Sequence, residues 1–162
     1  IRGDNMDKSK LKTYGLFILF TELVGVVAGL FTSMGMDAYD AVEKPALTPP
    51  DIVFPIVWTI LYALMGISAA RIWLSPPTKE RNHGLIIWGA QLFFNFFWSL
   101  IFFNLQAYGF AFIWILILWA LIIAMIYVFN KTDRLAAILQ IPYLIWVTFA
   151  AYLNFMVWML NR

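Results

Sequence analysis

"GLIIWGAQLFFNFFWSLIFFNLQAYGFAFIWILILWALIIAMIYVFN", residues 84–130, contains no charged residue, and this stretch decides the fold. A helix needs about 20 apolar residues to cross the roughly 30 Å of hydrocarbon in a bilayer. The stretch is therefore long enough for two crossings. Its one polar, turn-like break is "NLQAYG" at 104–109, which predicts two membrane spans at about 84–104 and 109–129.

Three more charge-poor runs of sufficient length flank this stretch, at about 14–34, 53–74 and 135–160. The whole chain is 63% hydrophobic and only 12% charged, whereas a soluble domain is about 25% charged. The sequence predicts an all-α integral membrane protein in which residues 1–162 form one domain, a bundle of five transmembrane helices.

The basic residues predict an orientation for this bundle. All of the 11 lysines and arginines except Lys44 and Arg162 lie before the first span or in or next to the second and fourth connections. Because positive residues are enriched on the cytoplasmic side, the N-terminus is predicted to be cytoplasmic and the C-terminus outside. The expected location is a bacterial cell membrane.

The first connection, predicted at 35–52, is longer than the others. It carries four acids and three prolines: Asp37, Asp40, Glu43, Asp51, Pro45, Pro49 and Pro50. Proline fixes φ and removes a backbone donor, so the connection is predicted to be stiff. Two interpretations are considered, a rigid linker that starts the second helix and a lid over a binding site. The position of the connection on the outer side, directly before Trp58, favours the lid.

Polar and aromatic residues recur on one face of three spans, at steps of three and four residues. These stripes comprise Trp58, Tyr62, Met65 and Ala69 in the second span, Gln91, Asn95, Trp98 and Phe102 in the third, and Tyr143, Val147, Ala150 and Asn154 in the fifth, with Trp146 beside them. They are typical of interhelical hydrogen bonds, and also of an aromatic pocket for a flat apolar ligand. The fourth span lacks a mid-span amide or charge, so it is expected to face lipid or a second subunit.

The first span contains Glu22 together with Gly25 and Gly29, which are spaced as GxxxG. This glycine spacing predicts close helix packing. A carboxylate at the depth of Glu22 must pair, face a wet cavity or be protonated. Its predicted role is an interior hydrogen bond, with proton coupling as the alternative.

Several chemistries lack the residues they need. The chain has no cysteine, and its only histidine, His83, falls in a connection. We find no cluster of metal ligands, no nucleophile beside a base and no basic stripe for nucleic acid. The sequence predicts no catalytic residues, no metal site and no obligatory cofactor.

Three segments carry a family resemblance: "EKPALTPPDIVFPIVWTILYALMG" (43–66), "QLFFNFFWSLIFF" (91–103) and "IPYLIWVTFAAYLNFMVW" (141–158). In their order and spacing they resemble the TspO/MBR family, the tryptophan-rich sensory proteins, translocator proteins and peripheral-type benzodiazepine receptors. The resemblance implies a five-helix bundle, commonly a homodimer, whose pocket binds tetrapyrroles such as protoporphyrin IX and benzodiazepine-site ligands. The pocket positions that match are Tyr39, Pro49, Trp58, Tyr62, Asn95, Trp98, Trp146, Ala150 and Asn154. Gln91 and Tyr143 join this predicted ligand-binding set from the stripes.

Two departures from the family pattern limit what the resemblance implies. Leu47 stands where relatives carry an aromatic residue in a pattern like KPxWxPP, so the role of that aromatic is not carried over to this chain. The C-terminal sterol pattern has Phe155 in place of its tyrosine, so sterol binding is not predicted. The predicted function is a membrane sensor or carrier that binds porphyrin-type tetrapyrroles. The alternatives are light- and oxygen-dependent porphyrin degradation and a small proton-coupled transporter that uses Glu22.

Overall fold

The computed structural model describes the backbone of residues 2–162 and the side chains of residues 7–162. The described chain is helical, and five of its segments are long and apolar enough to cross a membrane, which confirms the predicted fold class. The helices are α1 (Arg2–Ala41), α2 (Val53–Trp73), α3 (Lys79–Ser99), α4 (Tyr108–Asn130), α5 (Arg134–Ile138) and α6 (Ile141–Leu160), and a π-helical turn (Leu100–Asn104) continues α3.

The first connection is shorter than predicted, because α1 does not end at residue 34. The helix continues to Ala41, so the connection covers only 42–52 instead of 35–52. The Lys44 ammonium donates to the carbonyls of Tyr39, Asp40 and Val42 at 2.8, 3.2 and 3.0 Å. A cation on the last free carbonyls stabilises a helix C-terminus, and here it fixes the end of α1.

The fifth predicted span, 135–160, is not one continuous helix. The chain forms α5, turns at Leu139 and Gln140, and then begins α6 at Ile141. Pro142 lies in the first turn of α6. A proline has no N–H to donate and its ring clashes with the carbonyl four residues earlier, here that of Ile138, so α5 cannot continue into α6.

The polar stripes of the second, third and fifth spans lie inside the bundle. Met65, Ala69, Gln91, Tyr143 and Val147 are fully buried. The prediction for the fourth span was wrong on one face. A row on α4 with steps of four and three is buried, where the helix packs against α3 and α6: Ala111, Ile115, Leu118, Ile122, Met125 and Phe129. Only the remaining faces of α4 are exposed.

Glycine allows two close approaches of α1 to the rest of the bundle. Gly66 of α2 lies against α1, where a Cβ atom at this position would come within 2.7 Å of the Ile18 Cα. Gly35 of α1 lies against the carbonyl of Phe103 in the π-helical turn. The Thr21 hydroxyl donates to the Tyr62 carbonyl at 2.7 Å and ties α1 to α2 one turn from Gly66.

Two polar contacts hold the ends of the bundle. Asn161, just after α6, exchanges two hydrogen bonds with the backbone of Glu43, at 2.9 and 2.8 Å. The first connection is therefore attached to the C-terminal end of the chain. At the opposite end, the Arg71 guanidinium pairs with the Asp133 carboxylate at 2.5 Å and joins α2 to the segment before α5.

Candidate functional site

A cavity of about 650 Å³ lies between α1 and α2, with α3 and α6 behind it. This volume is within the range of about 300–1,000 Å³ that is usual for small-molecule sites. One face of α1 lines it from Glu22 to Met36, which is about 21 Å at 1.5 Å per residue. Asp51 and Ile52 lie at the end near the first connection.

Aromatic side chains form most of the wall opposite α1. Trp58 and Tyr62 come from α2, Trp98 from α3 and Trp146 from α6. The Trp58 and Tyr62 rings lie 5.7 Å apart. The indole N–H of Trp146 is buried and has no hydrogen-bonding partner among residues 7–162. Three indole side chains that line one cavity favour a flat aromatic ligand.

A chain of hydrogen bonds runs from the cavity wall into the bundle. The Tyr62 hydroxyl donates to Asn95 Oδ1 at 2.6 Å, and Asn95 Nδ2 donates to the Tyr143 hydroxyl at 2.8 Å. The Tyr143 hydroxyl donates in turn to Gln91 Oε1 at 2.7 Å. Because each side chain in this network is hydrogen-bonded to the next, the network joins α2, α3 and α6 and holds the wall in place.

We expect Tyr143→Phe to lower the stability of the bundle. The substitution leaves Asn95 Nδ2 and Gln91 Oε1 buried without a partner, and each such group costs about 1–3 kcal/mol. The melting temperature in detergent should fall by about 5 °C or more. The control is Tyr152→Phe on the same helix, where the ring is 39% exposed. Equal melting temperatures for the two variants would contradict this role for the network.

Asn154 lies behind the cavity wall and does not face the cavity. Its Oδ1 accepts from the Trp98 indole N–H at 3.0 Å, and its Nδ2 donates to the Tyr108 carbonyl at 2.8 Å. The side chain is fully buried. Its amide therefore orients Trp98, and in this arrangement it has no free group for the polar edge of a ligand.

All of the predicted site residues except Tyr39 and Pro49 fall into two groups. The cavity is lined by Trp58, Tyr62, Asn95, Trp98, Trp146 and Ala150. Gln91, Tyr143 and Asn154 lie behind it as hydrogen-bond partners of its wall. Tyr39 is buried outside the cavity, with its ring 5.2 Å from Phe103 and 6.3 Å from Phe54, two side chains that line it.

The first connection meets the cavity through its last two residues and not through its prolines. Asp51 and Ile52 line the cavity, whereas Pro49 does not. Leu47, which replaces the family aromatic, is 69% exposed and is not a lining residue. The Asp51 carboxyl is partly desolvated and lies beside Asp40, and both effects raise its pKa, while Lys44 opposes them.

The wall that α1 supplies was not predicted from the sequence. Gly29, Thr32 and Met36 line the cavity, and a Cβ atom at Gly29 would have no heavy atom within 4 Å. Of the GxxxG pair only Gly25 makes the predicted close contact, against the Tyr62 ring. The sequence does contain a row of small residues on the same helix face as Glu22. Such a row does not distinguish a glycine packed against another helix from one beside a cavity.

This architecture defines a class of protein: a membrane protein of five spans with a cavity lined by aromatic side chains between its first two helices. Comparison with protein-family models matches residues 17–159 to the TspO/MBR family. The chain belongs to the TspO/MBR family.

Individual relatives agree with this assignment over most of their length. The tryptophan-rich protein TspO of Chlorobaculum tepidum is 36% identical over 94% of this chain and 98% of its own. The protein CrtK of Rhodobacter capsulatus is 34% identical over 93% and 94%. The translocator protein of Homo sapiens is 33% identical over 79% and 77%. With its five apolar spans, the chain is an integral membrane protein of this family.

Proposed function

We propose that the protein binds a porphyrin-type tetrapyrrole in the cavity between α1 and α2 and acts as a membrane sensor or carrier for it. The observation that carries the proposal is the convergence of Trp58, Trp98 and Trp146 on one cavity of about 650 Å³. A flat, largely apolar macrocycle would bury its faces against these indoles. Benzodiazepine-site ligands are also flat and aromatic and would use the same wall.

The fixed geometry of this wall supports binding. The Trp98 ring is oriented by Asn154, and Tyr62 is oriented by Asn95. The first connection is held by Lys44 and Asn161, so the end of the cavity at Asp51 is already formed without a ligand. Groups that are in place before binding lose less conformational entropy when the ligand arrives.

The test is a titration of the purified protein with protoporphyrin IX, followed by tryptophan fluorescence and by porphyrin absorbance. We expect saturable quenching with one porphyrin per chain. Trp58→Leu and Trp146→Leu should each weaken binding by up to about tenfold, because an aromatic pair contributes about 0.5–1.5 kcal/mol.

The control variant is Trp119→Leu on α4, since that indole lies outside the cavity and donates to Thr148. Its affinity should equal that of the unchanged protein. Absence of saturable quenching would overturn the proposal. Loss of the porphyrin absorbance under illumination, with a new product that disappears in Trp58→Phe, would point to the degradation alternative instead of simple binding.

A further inference from the structure

The polar groups that line the cavity are mostly occupied by contacts within the protein. The hydroxyls of Ser33, Thr59 and Ser99 donate to carbonyls of their own helices. Tyr62 and Asn95 belong to the hydrogen-bond chain described above. These side chains therefore have little left to offer the polar part of a ligand.

Glu22 differs from these groups. It lines the cavity near the middle of the span Asp7–Ala41, and its carboxyl group forms no ion pair or hydrogen bond with residues 7–162. A carboxylate at this depth is costly unless something pairs with it. No residue among 7–162 pairs with the Glu22 carboxyl group.

The charge around the cavity has one sign. Its lining contains Glu22 and Asp51 and, among the described residues, no lysine or arginine. Lys44, the basic residue of the first connection, is occupied by three backbone carbonyls of Tyr39, Asp40 and Val42. An anionic group of a ligand would thus meet repulsion inside the cavity, whereas a cationic group would meet a carboxylate and three indole side chains.

We propose that Glu22 selects the ligand, so that the cavity favours flat aromatic compounds that carry a protonated amine or another N–H donor at the depth of Glu22. This inference rests on the proposed function, because it assumes that the cavity is a ligand site. If Glu22 is ionised, it pairs with an ammonium. If it carries a proton, it forms a hydrogen bond with an amine or transfers that proton to it. A tetrapyrrole would accordingly present its pyrrole N–H groups here and keep its carboxylates away from this position.

The test uses two matched probes, 1-pyrenemethylamine and 1-pyrenemethanol, which share one ring system and differ in charge. Each is titrated into the protein in phosphatidylcholine nanodiscs, with quenching of tryptophan fluorescence as the readout and empty nanodiscs as the blank. We expect the amine to bind about tenfold or more tightly than the alcohol, as is typical of a hydrogen bond to a charged group.

Variants assign the preference to Glu22. Glu22→Gln should abolish it without changing the affinity for the alcohol, and Glu22→Asp, which keeps the charge, should retain it. The matched control is Asp37→Asn, an exposed acid on the same helix that does not line the cavity, and this variant should behave like the unchanged protein.

Equal affinity for the two probes, a preference that survives Glu22→Gln, or no saturable binding of either pyrene would overturn the inference. Protoporphyrin IX is titrated in parallel to separate the two proposals. Saturable porphyrin binding without an amine preference leaves the proposed function standing and removes the role of Glu22. Absence of porphyrin binding removes the proposed function itself.

Discussion

Replacing Gly29 with phenylalanine is expected to weaken protoporphyrin IX binding by about 100-fold and to leave the bundle folded. Gly29 lines the cavity, and a Cβ atom built there has no heavy atom within 4 Å. The first carbon of the new side chain therefore meets no neighbouring helix, and its ring would occupy space that the ligand needs. Excess volume at a packed contact costs about 1–3 kcal/mol, and about 3 kcal/mol corresponds to roughly 100-fold in affinity.

The matched control for this variant is Gly15→Phe. Gly15 lies on the same helix and also has no heavy atom within 4 Å of a built Cβ, but it does not line the cavity. Its porphyrin affinity should be unchanged, and both variants should elute as folded protein with the same melting temperature. An unchanged affinity in Gly29→Phe, or an equal loss in Gly15→Phe, would show that the porphyrin does not occupy this cavity.

Gly66→Ala is expected to destabilise the protein, although alanine is the better helix former. The added methyl carbon would lie 2.7 Å from the Ile18 Cα and 2.8 Å from the Ile18 nitrogen, so backbone has to move. The separation of α1 from α2 would also stretch the hydrogen bond from Thr21 to the Tyr62 carbonyl. We expect a loss of about 2–3 kcal/mol and a melting temperature lower by about 5–10 °C.

Gly89→Ala is a control for which the expected change in stability has the opposite sign. A Cβ atom at Gly89 on α3 meets no heavy atom within 4 Å, so the substitution only removes the helix penalty of glycine, about 0.5–1 kcal/mol. The melting temperature of Gly89→Ala should be unchanged or slightly higher. If Gly66→Ala were as stable as Gly89→Ala, the close approach of α1 and α2 at Ile18 would not be required for stability.

Gly29 and Gly66 together show what α1 contributes to the site. At Gly66 of α2, α1 is held at backbone distance, and one face of α1 between Glu22 and Met36 borders the cavity. α1 is also the least buried of the five spans. The α1 wall is thus held at both ends, against Gly66 of α2 and, through Gly35, against Phe103. The tryptophan wall opposite is fixed by its own hydrogen bonds.

Much of the site could be predicted from the sequence because polar and aromatic residues are conspicuous in an apolar span. The stripes through Tyr62, Asn95 and Tyr143 were visible at helical spacing, and the structure joins these three side chains by hydrogen bonds. Both predicted roles of the amides, lining a cavity and joining helices by hydrogen bonds, occur in the structure. Asn95 lines the cavity and also bridges helices, whereas Asn154 only holds Trp98 and Tyr108.

The sequence by itself determined the five spans, because the length of an uncharged run and the cost of a charge in hydrocarbon are local properties of the chain. It also determined which faces of three spans turn inward, since a buried amide needs a partner on another helix.

Only the tertiary structure decided the rest. The buried row of α4, from Ala111 to Phe129, is no more apolar than its exposed faces, so hydropathy contains no contrast from which to read it. Both Gly25 and Gly29 border the cavity, but only Gly25 packs on a ring, and Glu22 lines that cavity without a partner among the described residues. These differences depend on where α2 approaches α1, which is set by contacts between residues far apart in the chain.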